Sequence, residues 1–262
     1  MRPAARAAAP STPGRDAFTA RAFTTDAADL DAAVDAARPV ASTDALLMAC
    51  LRDAAGRSPE SGEVRRWTVA RRLDALIAIR AAAGGKTQRI ALRCGEPTCR
   101  ESFEAELDLA ACRSAGEAPV VEFALDGATV RARLPTGADQ ARWHEDRTPL
   151  HLVAASLLVA PAPQGADVVA ALEAALARID PARELKLELT CPGCATTQPH
   201  AVDLEAQLLA AFAQEQGLWL RRIARLARCF HWAEAEIARM PAWRRDFYLG
   251  WLDAAELDEE AG

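Results

Sequence analysis

Arg89-Ile-Ala-Leu-Arg-Cys94-Gly-Glu-Pro-Thr-Cys99, continuing into Ser102-Phe-Glu-Ala-Glu-Leu-Asp-Leu109, is one of two stretches on which the fold turns. The other is Leu185-Lys-Leu-Glu-Leu-Thr-Cys191-Pro-Gly-Cys194, continuing into Ala201-Val-Asp-Leu204. Each reads as an alternating strand, a Cys-turn-Cys tip and a returning strand, which is a β-hairpin. Closely spaced cysteines with Gly or Pro between them have the turn chemistry of a zinc knuckle, and two knuckles supply the four thiolates of a tetrahedral site. Cys94, Cys99, Cys191 and Cys194 are therefore the candidate ligands of one structural Zn2+. Together the hairpins form a zinc-ribbon-like module around a long insertion. A degenerate site is the alternative, because the four-residue spacing of the first pair is looser than the two-residue spacing of the second. In that case His200, six residues after Cys194, is a substitute ligand.

Outward from the knuckles, Val120-Val-Glu-Phe-Ala-Leu-Asp126-Gly127-Ala-Thr-Val-Arg-Ala-Arg-Leu134 reads as strand, Asp-Gly turn and strand, a strong local hairpin signal. Pro135-Thr-Gly-Ala-Asp139 closes it and offers an N-cap for the next helix. Apolar spacing predicts helices over 139–145, 149–159 and 165–178, with Pro161 and Pro163 as breaks. Before the first knuckle, Thr43 or Asp44 caps a helix through Leu46, Leu47, Cys50 and Leu51. A second helix spans 63–82 and stops at Gly84-Gly85. From Asp203 the chain reads as helical, with Gly217 as a kink and two short final helices at 233–239 and 242–254.

The fold class is α+β: mostly helical, with the small antiparallel zinc-ribbon-like module, the Asp-Gly hairpin and a helical C-terminal region. Four segments are expected. Residues 1–40 form a disordered or loosely docked tail, with Phe18 and Phe23 as anchors. Residues 41–204 form the mixed core, 205–254 the helical C-terminal region and 255–262 an acidic, solvated tail.

The 262 residues carry a formal charge of −6, which gives no overall basic field to attract nucleic acid or anionic lipid. No apolar run of about 18 residues marks a membrane span. Arg6, Pro10 and Pro13 interrupt the N-terminal alanines, so no secretory signal is read. Seven cysteines without such a signal fit a metal in a reducing compartment, and the expected location is cytoplasmic.

Searches for catalytic motifs fail. Gly85-Lys86-Thr87 lacks the first glycine of a phosphate loop, since Arg80 stands there. His144-Glu145 lacks the second histidine of a metalloprotease helix, position 148 being Thr. Cys50 and Cys229 lie among apolar neighbours, and Cys112 is a poor further ligand. Four cysteines close a zinc shell and leave no position for water, so the chain is read as no enzyme. A zinc-ribbon module associated with nucleic acid is the competing function. Its support is the arginines at 65, 66, 71, 72, 221, 222, 225 and 228; against it stand the acidic chain and Glu96, Glu101 and Glu104 beside the knuckle.

Leu134-Pro-Thr-Gly-Ala-Asp139, and the run from Ile223 through His231-Trp232, Pro241, Arg245 and Tyr248-Leu249, resemble the T4-type phage baseplate protein family of phages and contractile injection clusters. The resemblance extends over roughly 44–252, and it departs at the first knuckle, where the family pattern has two intervening residues. It implies a structural or assembly protein of a contractile-tail baseplate or hub. Hub or wedge proteins are its implied partners, and it can enter a phage-like particle. Tryptophan, tyrosine and arginine dominate protein interfaces, and the aromatics gather near this chain's C-terminus. Trp243, Arg244, Arg245, Tyr248 and Trp251 are accordingly the candidate partner-binding residues. Packing between the short helices competes for the tryptophans, most of all for Trp232 and Trp243.

Overall fold

A proline at the first helical position has its φ already set and lacks an N–H that would find no partner there. Helix α1 (Pro39–Cys50) begins on such a residue. Thr43 and Asp44, the caps expected from sequence, instead lie buried inside it. Thr43 donates to Glu205 at 2.8 Å, while Asp44 accepts from Arg65 and Arg72, each at 2.7 Å. The structure is a computed structural model that describes residues 18–24, 26–114, 120–160, 167–179 and 185–260. Residues 1–17 of the expected tail, the breaks at Pro161 and Pro163, and residues 261–262 lie outside the described residues.

The described part of the expected tail is built into the molecule. Strand β1 (Thr19–Ala20) pairs with β2 (Leu51–Arg52), directly after α1. Phe23 is buried edge-on against Phe212 at 5.8 Å, and Phe18 tilts over Trp67 at 5.4 Å. Asp29 is fully buried and paired with Arg21 at 2.5 Å. Two aromatic anchors and one ion pair hold a segment whose average composition predicted little order.

The helix expected over 63–82 is two helices, α2 (Ser61–Arg66) and α3 (Val69–Ala82). The break is tertiary in origin. Val69 N–H donates to Pro135 O at 2.9 Å, and Gly137 N–H donates to Trp67 O at 3.1 Å. Thr68 then caps α3 by accepting from the Arg71 amide at 3.2 Å.

All three sequence hairpins are present as separate two-stranded ladders. Strand β3 (Thr87–Arg93) pairs with β4 (Ser102–Asp108), and β5 (Val120–Leu125) pairs with β6 (Ala128–Arg133). Asp126 and Gly127 both have positive φ, 49° and 79°, as a tight two-residue hairpin turn requires. Helix α4 (Gly137–Asp146) is capped by Thr136, within the segment expected to supply the cap, and Asp139 completes a reciprocal capping box from the third position. Next come α5 (Leu150–Leu157) and α6 (Val168–Ile179). The last hairpin joins β7 (Leu185–Thr190) to β8 (Thr197–Val202).

Helix α7 (Leu204–Phe230) runs unbroken through Gly217, where a kink was expected. After α8 (Glu234–Arg239), α9 (Ala242–Glu260) carries helix through most of the expected acidic tail. Three apolar cores form among the described residues, and the architecture is α+β. The first joins α1, α2 and α3 to β3, β4 and the start of α7. The second covers the β5–β6 hairpin with α5 and α6, and the third packs the end of α7 against α8 and α9. The boundary expected between 204 and 205 falls at the head of α7, whose first half (Leu208, Leu209, Phe212) belongs to the core before it.

Candidate metal centre

Both knuckles begin with the same ladder bond. Cys94 N–H donates to Glu101 O at 2.8 Å, and Cys191 N–H donates to Thr196 O at 3.0 Å. Each acceptor lies two residues beyond the second cysteine, so Cys94 and Cys191 hold equivalent places. Both tips also end alike, with positive φ at the residue after the second cysteine: 53° at Arg100 and 57° at Ala195. The two extra residues of the first tip are absorbed before that point. There Glu96 O accepts from the Cys99 and Arg100 amides at 3.1 and 3.2 Å. The wider spacing thus lengthens the loop without displacing its sulfurs.

The four Sγ atoms lie within 4.8 Å of one another. Cys94 Sγ stands 3.7 Å from Cys194 Sγ, and Cys99 Sγ 3.8 Å from Cys191 Sγ. Zinc–sulfur bonds of about 2.3 Å in a tetrahedron separate the sulfurs by about 3.8 Å, so the donor set fits. A disulfide needs about 2.0 Å, and all four are free thiols. These cysteines lie close enough to hold a metal ion, and each short pair joins one hairpin to the other. Two contacts fix the approach. Gln198 Nε2 donates to Cys94 Sγ at 3.2 Å. Gly95 leaves room for that side chain, since a Cβ there would stand 2.8 Å from Gln198 Oε1. Gln198 carries no sequence signal beyond its place on a knuckle strand.

The thiols do not ionise alike. Hydrogen bonds from the Thr196 hydroxyl and amide draw Cys194 down to about 6. The Glu101 amide pulls Cys99 the same way, but desolvation and the hydrogen bonds it shares with the other three thiols outweigh it and push Cys99 up to about 12. Bringing all four to the thiolate state requires a cation, so loading releases protons and weakens in acid.

The remaining sequence candidates stand apart. Burial pushes the Cys50 thiol up to about 12, and Cys112 donates to Asp108 O at 3.4 Å. His200 packs edge-on against Phe103 at 5.6 Å, outside the four-sulfur group. His144 is exposed on α4.

At the C-terminal end the aromatics divide into two sets. Phe230, Trp232 and Tyr248 pack together, with Phe230 and Trp232 stacked at 4.6 Å and Trp232 and Tyr248 edge-to-face at 4.9 Å. Trp243, Phe247 and Trp251 are 72%, 65% and 57% exposed at four-residue intervals along α9, so they form one solvent-facing row. Trp243, favoured from sequence as a packing residue, is the most open of the three. Arg245 is turned inward: it donates to Ala238 O at 3.0 Å and Met240 O at 2.8 Å, closing the end of α8.

Neither a family model, nor a curated protein, nor a solved structure matches this chain. Among the described residues, no helix is long and apolar enough to cross a membrane.

Proposed function

We propose that this chain is a non-enzymatic structural or assembly protein of the baseplate or hub of a phage-like contractile tail or injection system, held together by a four-cysteine zinc site. The observation that carries the partner-binding role is the exposed row Trp243, Phe247 and Trp251. Large aromatics left in water at helical spacing are the composition of an interface centre. They fall in the segment that resembles the baseplate family. The cysteine cluster complements this reading: with four sulfurs as ligands, a tetrahedral zinc keeps no open position, and its contribution is rigidity. Zinc suits the all-thiolate donor set, and the reducing cytoplasm is where such thiols persist.

The test is co-expression with the hub and wedge proteins of a contractile tail, followed by affinity capture through a tag on this chain. Capture is expected for the natural chain and is expected to fall at least tenfold when Trp243, Phe247 and Trp251 are all changed to Ala. Capture unaffected by the triple change would remove the row from the interface, and no capture by the natural chain would remove the baseplate assignment.

A further inference from the structure

The four sulfurs of the cluster are not equally reachable from solvent. Cys194 is exposed and Cys99 half-buried, while Cys94 and Cys191 are 3% and 1% exposed. The residues around Cys194, from Pro192 to Thr196, are exposed as well, so a small polar molecule in solution meets this cysteine first. A bound metal keeps each sulfur ionised, and the thiolate is the form that attacks an electrophile. The exposed Cys194 Sγ stands 3.7 Å from the sulfur of the buried Cys94 on the other knuckle. Cys99 and Cys191 repeat the arrangement at 3.8 Å.

An accessible thiolate with a second thiolate in reach is the arrangement of a peroxide-sensitive pair: one sulfur is oxidised and the other resolves it. Which sulfur resolves decides the outcome. A bond within a knuckle would close a loop of only four or two intervening residues. A bond along either short contact joins one hairpin to the other, across 100 or 92 residues of chain. Closing a long loop constrains the unfolded chain more than closing a short one. Bonds along the short contacts would therefore take over the metal's place as the link between the hairpins.

We propose that Cys194 is an oxidation site for hydrogen peroxide, and that its oxidation exchanges the metal for two disulfides, Cys94–Cys194 and Cys99–Cys191. The Cys194 thiolate attacks one peroxide oxygen, the O–O bond breaks, and the departing hydroxide takes a proton to become water. Cys194 is left as a sulfenic acid. The Cys94 thiolate then attacks the Cys194 sulfur, the S–O bond breaks, and a second hydroxide leaves and is protonated to water. The sulfur pair loses two electrons and the peroxide gains them. The zinc, left with Cys99 and Cys191, is released, and a second peroxide joins that pair in the same way. Thiol reductants reverse both bonds. The switch rests on the four-cysteine zinc site of the proposed function and gives that site a way to release its metal with the hairpins still joined.

The test treats the zinc-loaded, full-length protein with hydrogen peroxide, follows zinc release with a chromogenic chelator and maps the disulfides by proteolysis and mass spectrometry without reduction. Zinc is expected to leave as Cys94–Cys194 forms, with Cys99–Cys191 following, at about two peroxides per zinc. Dithiothreitol with added zinc is expected to restore the loaded protein. The oxidised, metal-free chain is expected to unfold at a higher temperature than the reduced, metal-free chain. Cys229→Ser, which removes the exposed cysteine outside the cluster, is expected to release zinc at the natural rate. Disulfides within the knuckles, zinc release that depends on Cys229, or no difference in unfolding temperature would each overturn the proposal. Zinc retained in excess peroxide would overturn the switch and leave the zinc clasp standing. A chain that takes up no zinc would overturn both.

Discussion

Arg72 is 1% exposed, and its guanidinium is the point on which α1, α2 and α4 converge. It donates to Asp44 at 2.7 Å, to Val64 O at 2.9 Å and to Val40 O at 3.1 Å. Gly137 at the start of α4 lies against it so closely that a Cβ would stand 2.7 Å from Nη1. Removing one partner of a buried pair leaves an uncompensated charge, so Arg72→Ala is expected to cost about 3 kcal/mol or more. Arg65 holds the same carboxylate from a position 45% exposed, and Arg65→Ala is expected to cost less than about 1 kcal/mol. Urea unfolding of the two variants measures the difference, and equal costs would show that burial does not distinguish the two arginines. Asp139 gives a pH dependence. Burial raises its carboxyl, but hydrogen bonds from Arg133 and from the Thr136 amide and hydroxyl outweigh burial and lower it from 3.8 to about 2. A depressed carboxyl stabilises the fold fully above its unfolded value, here by about 2 kcal/mol, and that stability is lost as pH falls through roughly 4 to 2. Asp139→Asn is expected to flatten the stability profile over that range, and a profile as steep as that of the natural chain would assign the acid loss to other groups.

Among the elements, the hairpins were the most legible in sequence. Alternation, the Asp126-Gly127 turn and the short cysteine spacings are all local signals, and the ladders follow them. The division between α2 and α3 was not legible, because residues 67 and 69 take their backbone partners from residues 135 and 137. The metal cluster lies between these cases. Its four ligands could be named from spacing, whereas the equivalence of the four-residue and two-residue tips depended on backbone geometry. Because each short sulfur pair crosses between hairpins, one missing thiol opens the whole clasp. The natural chain is expected to hold about one zinc, whereas Cys99→Ser and Cys191→Ser are expected to hold little. Cys229→Ser, changed at an exposed cysteine outside the cluster, should retain it. Elemental analysis of the purified variants checks this, and full zinc in Cys99→Ser would remove the first knuckle from the site.

At the scale of the molecule, α7 carries two cores along its length: Leu208 and Phe212 in the first, Ile223 and Leu226 in the third. Continuity of the helix through Gly217 is what lets one element serve both. The aromatic C-terminus is then divided by packing into a half-buried cluster and an exposed row. Tyr248→Ala, which strips contacts from Phe230 and Trp232, is expected to cost about 1–3 kcal/mol. Changing Trp243, Phe247 and Trp251 together is expected to leave the unfolding temperature nearly unchanged, because they are largely in solvent already. A thermal scan separates the two outcomes, and a large loss in the triple variant would make the row part of the core. Sequence alone determined the fold class, the hairpins and the identity of the four sulfurs, because periodicity, turn chemistry and cysteine spacing act over a few residues. Only the tertiary structure decided which aromatics face solvent, that residues 18–24 and 26–38 dock, and that Asp44 answers to Arg72 rather than capping a helix. Those outcomes depend on which surfaces meet, and the partners lie up to nearly two hundred residues apart, as Gln216 does from the Asp29 carbonyl it donates to.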